Sequence, residues 1–502
     1  MKQGMVYITG AGPGDEGLIT VAGLKSIKNA QVLVYDRLAG AGLVAQAPED
    51  CEKIYVGKES SNHTMTQDEI NRLLYEKAKE GHIVTRLKGG DPYVFGRGGE
   101  EALYLEERGI SYEVIPGITS GIGGLAYTGI PITHRDHASS FHIITGHLKD
   151  EDRELDWETL AKLKGTLVFY MGMAQLETIA QSLMEYGMDK TTPVALVQWA
   201  TTFHQRSVTG NLENIMETAK KEKISSPVLI VVGKVVELKD KLNFFERKPL
   251  RGKRVLVTRA RAQNSKLSER IRGLGGETVE FPMIHVEKST DTPAFRTVLK
   301  QLGSYDWLVF TSQNGVEFFF DSLFENGFDV RKIGKAKIAV IGNATSDALK
   351  KYGIRADLIP EHFVAESLLT ALSSQLKDTD QVLLLQAEGS RPVLKDGLEI
   401  CCMVDSVDVY RTVRENAWEE GDLVDYLKNN RMDAITLTSS STATYLWEAL
   451  KGKEELLDGI PLISIGPVTS QTMKELGFPV AKEADPHNID GLITALLEGV
   501  KA

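Results

Sequence analysis

Arg86-Leu87-Lys88-Gly89-Gly90-Asp91-Pro92-Tyr93-Val94-Phe95-Gly96-Arg97-Gly98-Gly99-Glu100-Glu101 is the stretch on which the fold turns. A strand-like run from His82 to Leu87 leads into it, and a helical pattern follows. Five glycines fall in eleven positions, so the backbone can adopt positive φ and approach a ligand closely. Asp91 before Pro92 sets an extended turn whose amides and carbonyls face outward.

Working outward, short β-branched runs alternate with amphipathic helical patterns, from Val32-Leu33-Val34-Tyr35 near the start to Leu462-Ile463-Ser464-Ile465 near the end. This predicts an α/β fold with largely parallel sheets. At 502 residues, with 42% hydrophobic and 25% charged, the chain has room for several domains. The polar segment ending Arg247-Lys248-Pro249-Leu250-Arg251-Gly252 reads as a linker, which divides the chain into residues 1–245, a connection at 246–252, and residues 253–502.

The second part repeats itself. Asp306-Trp307-Leu308-Val309-Phe310-Thr311-Ser312 matches Asp433-Ala434-Ile435-Thr436-Leu437-Thr438-Ser439, and Ile341-Gly342-Asn343-Ala344-Thr345-Ser346 matches Ile465-Gly466-Pro467-Val468-Thr469-Ser470. Two similar α/β units are expected.

A net charge of −11 disfavours nucleic acid and anionic membrane surfaces as partners. Cys51, Cys401 and Cys402 make neither a disulfide framework nor a metal spacing, which suits a reducing cytoplasm. No leader and no membrane span are expected. His134, His137, His142 and His147 match no compact zinc pattern, so no metal is predicted.

Gly10-Ala11-Gly12-Pro13-Gly14-Asp15 follows the first strand, and Asp36 ends the next. A dinucleotide fold would use G-x-G-x-x-G and an acid about 20 residues on. Here Asp15 takes the third glycine's position, and Pro13 removes a backbone donor where a pyrophosphate needs one. The G-x-G-x-G loop of common methyltransferases fits the glycines. Neither pattern accounts for Gly89-Gly90-Asp91-Pro92.

These loops, with Tyr35-Asp36-Arg37-Leu38, Val56-Gly57-Lys58, Ile115-Pro116-Gly117-Ile118-Thr119-Ser120, Ile130-Pro131-Ile132-Thr133-His134-Arg135, Tyr170-Met171-Gly172-Met173 and Ser226-Pro227-Val228, resemble the tetrapyrrole methylases. Within them the resemblance is to uroporphyrinogen-III C-methyltransferase, over about residues 1 to 245. It implies S-adenosyl-L-methionine held between two α/β lobes and touched by Pro13, Gly89, Gly90, Asp91, Val94, Thr119, Ser120, Met171 and Ala200. Ala200 stands where a related pattern has glycine. The resemblance also implies Asp36 as proton acceptor, Lys58 as proton donor and a homodimer through this half. The plainer alternatives are a helix cap or ribose ligand for Asp36 and a solvated surface lysine for Lys58. A polycarboxylate substrate makes Arg37, Lys88, Arg97 and Arg135 candidates by charge matching.

Residues 250 to 502 resemble uroporphyrinogen-III synthase through Thr311-Ser312-Gln313-Asn314-Gly315-Val316, the Gly466 loop and Val409-Tyr410-Arg411-Thr412. The resemblance implies two α/β domains between which the chain crosses and returns, with segments near 253–285 and 412–502 in one of them. Loops bearing Thr311, Ser312, Thr345, Ser439 and Thr469 precede helices whose free amides suit carboxylates. Ordinary N-capping is the plainer alternative. Tyr410 is the candidate acid for ring closure, or else a strand tyrosine packed across a sheet.

Together the resemblances imply one chain that cyclises hydroxymethylbilane to uroporphyrinogen III and methylates it twice to precorrin-2, toward siroheme or cobalamin. A methylase joined to a non-catalytic tetrapyrrole-binding module is the main alternative, and a nicotinamide dehydrogenase the remaining one.

Overall fold

A computed structural model describes residues 4–57, 65–146, 155–258, 261–415 and 421–501, with backbone alone for 261–265. The chain forms two compact units, one of residues 1–252 with 273–277 and the other of 253–272 with 278–502. Residues 246–252 pack on the first unit: Ser207 Oγ donates to Glu246 Oε1 at 2.7 Å, and the Arg251 guanidinium donates to the carbonyls of Phe203 and Gln205.

The first lobe of unit one is a five-stranded sheet ordered Glu52–Tyr55, Val32–Tyr35, Ile83–Lys88, Met5–Gly10, Ser111–Ile115. Every pairing in it is parallel. Val6, Ile8, Val34 and Val84 fill one face beneath Leu74 of helix Gln67–Lys79 and Leu105 of helix Gly98–Glu106. Leu33 and Leu87 pack the other face against Ile27, Ala39 and Leu43. This is the strand-loop-helix setting that the glycine stretch predicts, with ligand loops at the carboxyl ends of parallel strands.

The second lobe departs from the parallel expectation. Its order is Phe141–Thr145, Thr166–Tyr170, Val228–Val232, Pro193–Gln198, Arg206–Asn211, and only the first pair is parallel. The connection 199–205 is too short for a crossover helix, so the strands beside it pair as a hairpin.

Unit two contains two sheets. One is ordered Glu277–Glu280, Arg254–Val257, Ala434–Leu437, Leu462–Ser464, Lys482–Glu483; the other is Ile284–Lys288, Met403–Arg414, Gln381–Ala387, Trp307–Phe310, Lys337–Val340. Each sheet therefore joins the opening strands of one sequence repeat to the closing strands of the other. The chain leaves the first sheet between Glu280 and Ile284 and comes back beyond Arg414, where Ile284–Lys288 and Met403–Arg414 run antiparallel. The repeated aspartates hold both junctions. Asp306 Oδ2 accepts from the Gln381 amide at 3.1 Å, and Asp433 Oδ2 accepts from the Arg254 amide at 2.9 Å.

Candidate active sites

In unit one, three glycine loops meet. The amides and carbonyls of Gly12 and Gly90 bond each other, at 2.7 and 3.2 Å. A Cβ on Gly10 would lie 2.5 Å from the Gly117 Cα, so no side chain fits between those backbones. Asp91 ties the same loops: Oδ1 accepts from the Tyr93 amide at 2.8 Å and Oδ2 from the Gly117 amide at 3.0 Å.

The second lobe reaches this junction through Tyr170. Its hydroxyl lies 2.6 Å from Thr119 Oγ1 and accepts from the Gly121 amide, while its ring packs on Phe95 at 5.4 Å. Thr119 and Ser120 begin helix Ser120–Thr128, whose glycines admit close neighbours. A Cβ on Gly123 would lie 3.0 Å from Pro13, and one on Gly124 would lie 2.6 Å from the Ala200 Cβ. Met171 is exposed and holds a left-handed backbone at φ 54. Val94 bonds back to the Asp91 carbonyl, and Gly89 faces Leu38. The residues assigned to the cofactor thus come together from both lobes.

Asp15, where a dinucleotide loop has its third glycine, caps Glu16–Leu18. It also accepts from Tyr127 Oη at 2.8 Å, while its amide donates to Thr201 Oγ1. Burial first, then this carboxylate, pushes the Tyr127 hydroxyl well above the ordinary tyrosine range.

Asp36 caps the turn Arg37–Ala39 through the Leu38 amide and also lies 3.3 Å from Arg86 Nη2. Arg37 stands over the Trp199 ring at 5.5 Å. Arg97 is exposed and paired with Glu100 at 2.6 Å; Arg135 is exposed. Lys88 requires correction as a substrate ligand: it is 4% exposed and its ammonium lies 2.7 Å from the fully buried Glu101 carboxylate. Strand alternation turns it into the sheet-helix interface, on the face of Val84 and Arg86. Lys58 and His147 lie outside the described residues.

In unit two, Ser312 and Ser439 cap helices Gln313–Glu325 and Ser440–Leu450 through the Gly315 and Thr442 amides, at 2.9 and 3.2 Å. Helices Asn343–Lys350 and Pro467–Glu475 begin at Gly342 and Gly466 without a side-chain cap, with Thr345 and Thr469 buried in their first turns. The Thr311 hydroxyl points to the Leu385 carbonyl at 3.5 Å. These starts are grouped two by two, one pair on each sheet.

Tyr410 owes its position to a register shift. Gln386 faces Asp408 but Ala387 faces Tyr410, so Val409 is the extra residue of a bulge. Tyr410 then joins Val409 in the core beside helix Gln313–Glu325 and stacks on Phe318 at 5.9 Å. Burial pushes its hydroxyl up, and a hydrogen bond with Ser312 offsets part of that.

Residues 5–216 match the family model of the tetrapyrrole (corrin/porphyrin) methylases, and residues 265–494 match that of uroporphyrinogen-III synthase HemD. A porphyrin biosynthesis protein HemD of Ruminiclostridium josui is 37% identical over 99% of this chain and 98% of its own length. The chain belongs to this family of methylase and synthase fusions. A uroporphyrinogen-III C-methyltransferase of Bacillus subtilis is 44% identical over 70% of the chain and 72% of that protein. The methylase half is also similar to a solved Thermus thermophilus uroporphyrin-III C-methyl transferase complexed with S-adenyl homocysteine. That similarity is 41% identity over 46% of this chain and 99% of the other, with a TM-score of 0.41.

Sequence reasoning missed three residues of the methylase half. Tyr170 stood inside a quoted motif, but its hydroxyl's role as the tie between lobes had no local signal. Arg86 and Glu101 bound the glycine stretch, and an arginine within an apolar strand is itself a signal that an acid must cover it.

Proposed function

We propose that this chain closes hydroxymethylbilane to uroporphyrinogen III in residues 253–502 and methylates that product twice in residues 1–245, giving precorrin-2. The observation that carries the reading is the meeting of the Gly12, Gly90, Gly117 and Thr119 loops with Tyr170, in a chain related from end to end to a porphyrin biosynthesis protein. S-adenosyl-L-methionine, when bound, supplies an electrophilic methyl group.

The close backbone packing at 89–91, where Gly90 pairs with Gly12, the Thr119 and Ser120 hydroxyls and the apolar surfaces of Pro13, Val94, Met171 and Ala200 suit an adenosyl and amino-acid ligand. The reduced pyrrole carbon is already enamine-like, so the enzyme's main task is in-line alignment. Each transfer replaces a ring proton equivalent by methyl, so one net proton leaves the macrocycle to the Asp36 carboxylate; Lys58 is the proton donor for a tautomeric shift in which the ring gives up as many protons as it receives from Lys58. Arg37, Arg97 and Arg135 hold substrate carboxylates.

In the second half, the loops and helix starts bearing Thr311, Ser312, Thr345, Ser439 and Thr469 hold the bilane's carboxylates. Tyr410 donates a hydrogen bond to the departing hydroxyl. The enzyme is read as cytoplasmic, because its three cysteines are unpaired. It is read as a homodimer through its methylase half.

Anaerobic incubation with hydroxymethylbilane, with and without S-adenosyl-L-methionine, tests both halves. Type III product without cofactor and a dimethylated type III species with it are expected. Type I rings throughout would remove the synthase assignment, and unmethylated product would remove the other.

A further inference from the structure

Strand Ile83–Lys88 puts Arg86 and Lys88 on a face that otherwise buries Ile8, Val34 and Val84. Arg86 is 3% exposed, and Glu101, from the helix above, is 0%. One oxygen of Glu101 collects three donors: Lys88 Nζ at 2.7 Å, Gln67 Nε2 at 3.1 Å and Arg86 Nε at 3.3 Å. Its other oxygen is buried without a partner among the described residues. The far end of the Arg86 guanidinium lies 3.3 Å from Asp36 Oδ2, and its Nη1 donates to the Leu87 carbonyl at 3.0 Å.

Burying ions in an apolar interface is costly, and hydrophobic residues of similar size would make a more stable contact there. The cluster therefore needs a reason other than stability. Two cations and one carboxylate are sealed inside, and the charge closes only when Asp36, whose side chain is 27% exposed, is ionised. We propose that Glu101 is a positioning residue for methyl transfer: it anchors Arg86, whose other end holds Asp36 as an aimed carboxylate. This rests on the reading of Asp36 as proton acceptor.

The charged groups facing Asp36 are Arg86 and Lys88 from the strand and Glu101 from the helix, with Arg37 beside it in the chain; Lys58 lies outside the described residues. Burial, then Arg86, lowers the Lys88 pKa.

The test is the pH dependence of methylation kcat in the full chain, with cofactor affinity measured by calorimetry for each variant. Lys88→Met leaves the cluster more negative and is expected to raise the acid limb by about one pH unit; Glu101→Gln leaves it more positive and should lower the limb by about as much. A purely structural role would not move the limbs in opposite directions, so limbs that stay put or move together overturn the proposal. If Asp36→Asn keeps wild-type turnover, the proton-acceptor reading itself has failed. An inactive Asp36→Asn with unmoved limbs removes the positioning role alone. Should Glu101→Gln not fold, Arg86→Lys, which keeps charge but loses the fork, is expected to cut kcat at least tenfold with cofactor affinity unchanged, and an unchanged kcat overturns the proposal.

Discussion

The two halves make ligand loops by different means. In the methylase half, backbones from separate loops touch, and glycine is required wherever they do. In the synthase half, helices start in two pairs, one pair on each sheet; two starts are sealed by serine caps, and two begin at a glycine with a buried threonine behind it. Contact of backbones leaves a dense sequence signature, whereas a pair of helix starts on a sheet looks like any other helix starts.

The most severe way to break that contrast is Gly117→Ala. The added methyl would press on Gly90 and Gly10, so cofactor affinity should fall more than tenfold and the Tm of the methylase transition should drop. Unchanged affinity by calorimetry would mean that loop contact does not build this site.

Tyr410→Phe sharpens the other side. It removes the hydroxyl and leaves the Phe318 stack, so cyclisation should slow about tenfold, less than a full general acid supplies because one hydrogen bond to the departing hydroxyl is lost, while methylation of supplied uroporphyrinogen III stays unchanged. Wild-type cyclisation would leave Tyr410 as core packing.

Ser439→Ala is expected to cost about 1 kcal/mol in urea unfolding of the synthase unit, with a smaller effect on turnover, because the cap is one of several helix starts. A turnover loss larger than the stability loss would show that this serine touches substrate.

The smallest effect concerns the repeat. The Gln381 amide, with Lys335 adding to it, holds the Asp306 carboxyl below its ordinary range. A depressed acid stabilises the fold above its unfolded pKa, and that contribution disappears as pH falls through the folded value. Asp306→Asn should therefore cost about 1 kcal/mol at pH 7, and the gap to the parent should narrow at pH 3. A gap that is equal at both would assign the effect to geometry instead of charge.

Particular residues show what could be read in advance. Gly89, Gly90 and Asp91 declared a tight loop because their backbone demands are local. The repeat declared two sheets, and Asp306 and Asp433 carry the same bond in each. Charge matching makes Lys88 a substrate candidate because it sees a lysine in a ligand loop and cannot see the helix that covers it. Strand composition does not encode the partner's direction, so the α/β alternation predicts largely parallel sheets while the strands flanking 199–205 pair antiparallel.

The sequence by itself determined the α/β alternation, the glycine loops, the duplicated second half and the chemical families those patterns resemble, since turns, periodicities and repeats are written in neighbouring residues. Tertiary structure alone decided that the crossing strands Ile284–Lys288 and Met403–Arg414 pair antiparallel, that a bulge at Val409 turns Tyr410 onto Ser312, and that Glu101 seals Arg86 and Lys88 beneath Asp36. Those outcomes depend on which faces meet across long stretches of chain, and burial and charge compensation are settled only at that contact.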